Sequence, residues 1–192
     1  INSVLAKEGG QTPFINGSNQ IVLDTGDTQG TKDVSISAQA DILLNTVTAP
    51  DMATITSVAG RILDINQASN NVLARSENLV ANGTVGQDGD PIEATVETFS
   101  ASTTNGPIFL AQLLVSTAVS VVAGGAGNQV LVTSTGTILR IQTITAQGTV
   151  TVANGGGSLL DDNGAAVNIT GPIVNLTGTS GIGTALDPLE TN

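Results

Sequence analysis

The sequence predicts an all-β chain coiled as a parallel β-solenoid, and three observations carry that expectation. Short runs of Val, Ile, Leu and Thr alternate with polar residues and stop at Gly, Asn or Asp, the period-2 pattern of strands with one buried face. The chain superimposes on itself at a shift of 97 residues, and repeats of this kind build stacked architectures. Large core fillers are missing, since aromatics make up 2% of the 192 residues and all are Phe. A narrow solenoid interior, filled by like side chains stacked on like, has little use for them.

Taken in order, the strand-like runs are Ile21-VLDTG, Val34-SISA, Ile42-LLN, Ala53-TITS, Val130-LVTSTG, Ile138-LRIQTITAQG, Thr149-VTVANGG, Val167-NITG and Ile173-VNLTG. Gly, Asn and Asp separate them because these residues tolerate positive φ or bond their own backbone at corners. The stretch from Thr98 to Leu139 carries no charge, and the apolar run Ile108 to Ala123 lies inside it. A membrane span needs about 20 mainly apolar residues. Here Gln112, Ser116, Thr117 and Ser120 interrupt at strand-like intervals and Gly124-Gly125 close the run, so two consecutive strands are expected and no span.

The 97-residue shift lays Ala53–Thr95 on Val150–Asn192 without a gap, with 13 identities in 43 positions. Thr54, Gly60, Leu63, Asp64, Asn66, Ala68, Asn71, Asn78, Leu79, Gly86, Asp90, Pro91 and Glu93 meet their like. Earlier segments match less tightly: Val96-x-x-Phe99-x-Ala101 resembles Ile1-x-x-Val4-x-Ala6, and Phe109-Leu110 resembles Phe14-Ile15. The chain therefore reads as two units, about 1–95 and 96–192, in one continuous rod. Inside a unit, Val152 and Leu176, Leu159 and Ile182, and Ile169 and Leu189 are separated by 24, 23 and 20 residues, which sets the rung at about 20–24 residues and the rod at about nine rungs of ~4.8 Å each. Ile62, Val72, Leu79, Val85 and Ile92 are expected in the core, with Leu159, Ile169, Leu176, Ile182 and Leu189 in the equivalent places.

Sixteen Asp and Glu against five Lys and Arg give a net charge of −11, which argues against nucleic acid or an anionic membrane as partner. With no His and no Cys, triad hydrolysis, thiol redox chemistry and His or Cys metal sites fall away. No signal peptide is recognisable, and the chain reads as a mature or excised piece.

The segment Gly148–Asn192 resembles the long tandem repeats of very large bacterial secreted proteins related to filamentous haemagglutinin, the β-strand-repeat proteins. The matching marks are the strand Val150-TV, the turn G-x-L-L-D-x-N-G from Gly157 to Gly164, the double strand V-x-I-x-x-x-x-V-x-L-T from Val167 to Thr177, then Gly181-IGT and Asp187-PLET. The same grammar returns from Gly60 to Leu110, while the first 50 residues fit it least. The resemblance implies a right-handed β-helix, export to the cell surface or medium, and adhesive or fibre-forming work with copies of itself, other surfaces or glycans. It brings no catalytic residue and no cofactor.

Candidate sites are few. Asp161-Asp162 and Asp88-x-Asp90 are the tight carboxylate pairs. A glycosidase needs two acids facing one substrate, and neighbours on a strand point to opposite faces, so Asp161 and Asp162 are expected to diverge. A carbohydrate-active β-helix is the alternative function. Calcium, which takes six to eight oxygens, finds weak candidates in Asp24, Asp27, Asp88 and Asp90 and no EF-hand order among them. Asp64, Asp161, Asp90-Pro91, Asp187-Pro188, Gly86 and Gly183 are read as structural corners. Sequons stand at Asn16, Asn82, Asn168 and Asn175. The end of the chain reads on into its start, Asp187-PLETN followed by Ile1-NSVLA paralleling Asp90 to Ala101, which predicts head-to-tail joining. The charge-free stretch Thr98–Leu139 is the expected lateral contact.

Overall fold

The computed structural model describes residues 33–192 and, within the first 32, the backbone strands β1 (Ser3–Leu5), β2 (Phe14–Ile15) and β3 (Ile21–Val22). The strands that follow are β4 (Asp33–Ala38), β5 (Ile42–Leu44), β6 (Val47–Thr48), β7 (Met52–Ser57), β8 (Ile62–Asp64), β9 (Val72–Leu73), β10 (Ser76–Ala81), β11 (Ile92–Thr95) and β12 (Thr98–Thr103). Then come β13 (Ile108–Gln112), β14 (Ser116–Ala123), β15 (Val130–Ser134), β16 (Ile138–Ile141), β17 (Ile144–Ala146), β18 (Thr149–Asn154), β19 (Ser158–Asp161), β20 (Ile169–Thr170), β21 (Ile173–Gly178) and β22 (Gly181–Ile182). The described residues contain no helix. The described residues form a right-handed β-solenoid of about seven turns; about nine are expected for the whole length.

Two parallel sheets face each other across the core. One runs β4-β7-β10-β12-β14-β16-β19-β22, with β17 and β20 beside it, and the other β6-β9-β11-β13-β15-β18-β21. One turn takes from 18 residues, Ile92 to Leu110, to 25, Val47 to Val72, a little wider than the expected rung because corners differ in length. Strand burial alternates, as in β10 and β18, where every second residue is inside.

On the first sheet the early turns are single strands, β4, β7, β10 and β12, while the opposite side is broken into the pairs β5/β6 and β8/β9. Above them the roles exchange: β16/β17 and β19/β20 are the broken pairs, and β13, β15, β18 and β21 are continuous. The changeover strand is β14, which carries a bulge opposite Phe99 and Ser100 and leaves Val119 and Ser120 both outside. The repeat explains the exchange. The ladder from Met52 to Ser76, Thr98, Thr117 and Arg140 climbs four turns on one sheet, and Thr149, the residue 97 after Met52, opens β18 on the other. Each 97-residue copy therefore spans four and a half turns, so equivalent residues lie on opposite sheets.

One apolar cluster runs from Val34 to Ile169. Ile62, Val72, Leu79, Val85 and Ile92 are fully buried, and so are Leu159 and Ile169. The expectation fails for three residues: Leu176 and Leu189 are half-buried and Ile182 is 44% exposed. All three sit on the last turn, and in a solenoid half of a core residue's burial comes from the turn above it. The run Ile108–Ala123 forms two strands as expected, and among the described residues no helix is long and apolar enough to cross a membrane.

One polar pair lies inside this core. Glu77 is inward on β10 between Ala53 and Phe99 of the flanking turns, and Gln112, fully buried on β13, donates from Nε2 to Glu77 Oε1 at 3.2 Å. Glu77 Oε2 and Gln112 Oε1 have no partner. These are the two oxygens that a proton on Glu77 joins, closing an acid–amide pair. Burial pushes the Glu77 pKa up to about 7, so the neutral acid is the folded form. A raised acid pKa means that the stability it contributes is complete below the ordinary value near 4.5 and is lost as pH rises through about 7. Chemical denaturation across pH 4 to 8 should show a decline on the order of 3 kcal/mol, and Glu77→Gln should remove this component of the decline.

Candidate functional site

The corners that interrupt β8/β9 and β19/β20 are the most strongly repeated polar features of the chain. β8 ends at Asp64, whose Oδ1 accepts the Asn66 backbone N–H at 2.7 Å, an Asx turn that leads the chain out of the strand line through Gln67 at φ 60. Asn71 then enters the interior. Its Nδ2 donates to Asp64 Oδ1 at 2.5 Å and to the Leu44 carbonyl of the turn below at 3.3 Å, while its Oδ1 accepts the Glu93 N–H of the turn above at 2.9 Å. One fully buried amide thus ties three successive turns together. Asn66 reaches down in the same way to the Asn45 carbonyl.

The second copy repeats this bond by bond. Asp161 Oδ1 accepts the Asn163 N–H at 2.8 Å, Asn168 Nδ2 donates to Asp161 Oδ1 at 2.5 Å and to the Ile141 carbonyl at 2.8 Å, and Asn168 Oδ1 accepts the Glu190 N–H at 2.9 Å. Asn163 bonds the Gln142 carbonyl.

Against each corner folds a short hairpin from the next turn. Gln87 and Asp90 exchange backbone bonds of 2.9 and 3.1 Å, and Thr184 and Asp187 do the same at 2.8 and 3.4 Å. Gly86 and Gly183 open these hairpins with φ of 68 and 62, which glycine adopts without strain. A Cβ on Gly86 would also run into the Phe109 carbonyl of the following turn. Each hairpin brings a carboxyl onto the corner aspartate. Local desolvation and the neighbouring Asp64 raise the Asp90 pKa, and desolvation with the bond and charge of Asp161 raises that of Asp187. Burial works against the charge of Asp161, but the bonds from Asn168, the Asn163 backbone and Asp187 outweigh it and hold its pKa down. Glu93 is pushed up to about 7 by burial and by the charges of Asp64 and Asp90. Asp64 Oδ2, Glu93 Oε2, Asp161 Oδ2 and Glu190 Oε2 are buried without a partner.

The residues read as corners, Asp64, Asp90-Pro91 and Gly86, and Asp161, Asp187-Pro188 and Gly183, are thus brought together as two equivalent clusters on opposite sheets. Asp161 and Asp162 diverge as their adjacency requires: Asp162 is outside, where Gln142 Nε2 donates to it at 2.9 Å and Arg140 lies at 3.9 Å. Asp88 stands exposed near the hairpin tip, apart from the Asp90 contact with Asp64. Asp24 and Asp27 lie outside the described residues. Among the described residues no group of three His, Cys, Asp or Glu side chains is arranged to hold a metal ion. Asn168 is buried and fully bonded and cannot carry a glycan, whereas Asn82 and Asn175 are exposed. Sequence reasoning gave no role to Asn66, Asn71 and Glu93 or to their counterparts. The signal was present, for these are among the few polar residues identical at the 97-residue shift.

Comparison with protein-family models, with curated proteins and with solved structures yields no match.

Removing the buried amide leaves the Glu93 N–H unpaired in the interior and takes one donor each from Asp64 Oδ1 and the Leu44 carbonyl. Asn71→Ala should cost on the order of 3 kcal/mol in denaturant unfolding. Asn168→Ala should cost measurably less, because Glu190 on the last turn is less buried than Glu93.

Proposed function

We propose that the chain is a structural repeat segment of a secreted fibre or giant surface adhesin, a length of rod that joins head to tail with its like and works without catalysis. The observation that carries this reading is the use of the repeated amides: Asn66, Asn71, Asn163 and Asn168 all bond one turn to the next. A rod held this way lengthens by adding turns without changing its cross-section. The charge-free stretch Thr98–Leu139 supports a lateral contact. It carries the exposed corner Leu113, Leu114 and Val115 beside Val119, an apolar patch where two rods of net charge −11 meet without like-charge repulsion. Surface glycans are the partner class for the adhesive form of this role.

One observation favours a second reading, a carbohydrate-active β-helix: the Asp90 carboxyl, its pKa raised by local desolvation and by the neighbouring Asp64, stands close to Asp64 and Glu93.

Sedimentation of the purified chain over a rising concentration series separates the two. End-to-end multimers that lengthen with concentration are expected. A single monomeric species throughout, together with release of reducing ends from acidic polysaccharides that Asp90→Asn abolishes, would replace the first reading by the second.

A further inference from the structure

Asparagine followed by glycine is a pair prone to modify itself, because glycine has no side chain to hinder its backbone nitrogen and that nitrogen stands one ring closure away from the asparagine amide carbon. The pair occurs five times, at Asn16, Asn82, Asn105, Asn154 and Asn163. Asn16 lies outside the described residues, and the fold treats the other four differently. The Gly83 N–H donates to the Gly60 carbonyl of the turn below at 2.8 Å, and the Gly155 N–H to the Ser134 carbonyl at 2.9 Å, so at Asn82 and Asn154 the attacking nitrogen is held in the ladder. Asn154 is also fully buried, with Nδ2 donating to the Ser158 carbonyl at 2.8 Å and Oδ1 accepting the Gly156 N–H at 3.1 Å. At Asn163 the Nδ2 that would have to leave is tied to the Gln142 carbonyl.

Asn105 alone of the four combines a free nitrogen with a free amide. It is exposed at the corner between β12 and β13. Among the described residues no acceptor takes the Gly106 N–H. The corner is held instead by the Asn105 N–H, which donates to the Asn82 carbonyl at 2.8 Å, and by the Thr103 hydroxyl, which donates to the Gly106 carbonyl. Asn105 Nδ2 has no partner among the described residues, and Asn105 Oδ1 faces Asn128 Nδ2 of the turn above at 3.5 Å. That donor is fixed by its own bond to the Gly124 carbonyl at 2.5 Å, and it stands beside the oxygen on which charge develops when the amide carbon is attacked.

We propose that Asn105 is a self-modifying site whose only co-reactant is water. The Gly106 nitrogen attacks Asn105 Cγ, and the proton it sheds passes through solvent to the side-chain nitrogen, which leaves as ammonia. A five-membered succinimide remains. Water then adds to either ring carbonyl and opens the ring, giving an aspartate or an isoaspartate at this position. Each event puts a negative charge into a corner column of asparagines, Asn82, Asn105 and Asn128. Isoaspartate also lengthens the backbone by a methylene, at a point where Gly106 lies so close to Gly83 that a Cβ on it would run into the Gly83 carbonyl. The corner has to shift. Solvent does not restore the amide, so the extent of conversion records how long the folded rod has stood in water.

The test is to hold the folded chain in mildly alkaline buffer, digest samples over time and locate each converted asparagine by tandem mass spectrometry, with isoaspartate identified by labelling with an isoaspartyl methyltransferase. Asn105 should convert at least about tenfold faster than Asn82, Asn154 or Asn163, since a nucleophile or leaving group held out of line reacts far more slowly. In denaturant the four should convert at similar rates, because the selection is made by the fold. Asn128→Asp, which keeps the shape of the side chain and loses the donor, should slow Asn105 several-fold and leave the other three unchanged; an unaltered rate at Asn105 would strike Asn128 from the site. Conversion of Asn82 or Asn154 as fast as Asn105 in the folded chain, or an intact Asn105 under conditions where the denatured chain reacts, would overturn the proposal.

Discussion

Every feature of this molecule depends on the parallel backbone ladder that stacks each turn on the one before at a spacing of ~4.8 Å. A ladder of this kind imposes one inside and one outside on every residue of a column, because a register slip of one residue would turn the whole strand over. Inward columns are then mostly apolar from turn to turn, with Glu77 between Ala53 and Phe99 a polar interruption. Val130, Val150 and Val174 form such a column on one sheet, as do Ile36, Ile55, Leu79 and Ala101 on the other.

The corners carry the cost of this regularity. A strand that bends midway leaves backbone groups facing the interior, and buried groups of this kind need partners. The Asp–Asn corner supplies them. Its aspartate holds the turn, and its buried asparagine satisfies a carbonyl below and an N–H above. The bend and its repair recur together, four and a half turns apart, and bring with them an acidic contact from the neighbouring hairpin. Outside, the described arginines do related but weaker work: Arg61 bonds Asp41 and draws its pKa down, Arg75 lies between Asp51 and Glu97, and Arg140 faces Asp162. These exposed pairs join adjacent turns and contribute little each.

The same logic makes the two ends of the solenoid unlike its middle. A middle turn is satisfied on both sides, by Ile62 below and Ile108 above in the case of Val85. The last turn keeps the sequence of a middle turn but has a neighbour on one side, so Ile182 shows to solvent what Val85 hides. At the other end β1 closes part of the β4 edge in the antiparallel sense.

The sequence by itself determined the fold class, the rung length to within a residue or two, and the corner residues Asp64, Asp90, Asp161 and Asp187, because strand alternation, turn chemistry and repetition are local properties that a chain writes in order. It also foretold that Asp161 and Asp162 diverge. It could not place Asn71 beside Asp64, Leu44 and Glu93, since that meeting depends on which turns are neighbours in space. Nor could it tell that the repeat spans a half-integral number of turns and so puts its copies on opposite sheets. Turn length varies from corner to corner, and a few residues gained or lost in the corners, summed over four turns, decide which side of the rod a strand faces. The exposure of Ile182 belongs to the same class: its burial depends on whether another turn lies above it, a fact of the stack and not of the strand.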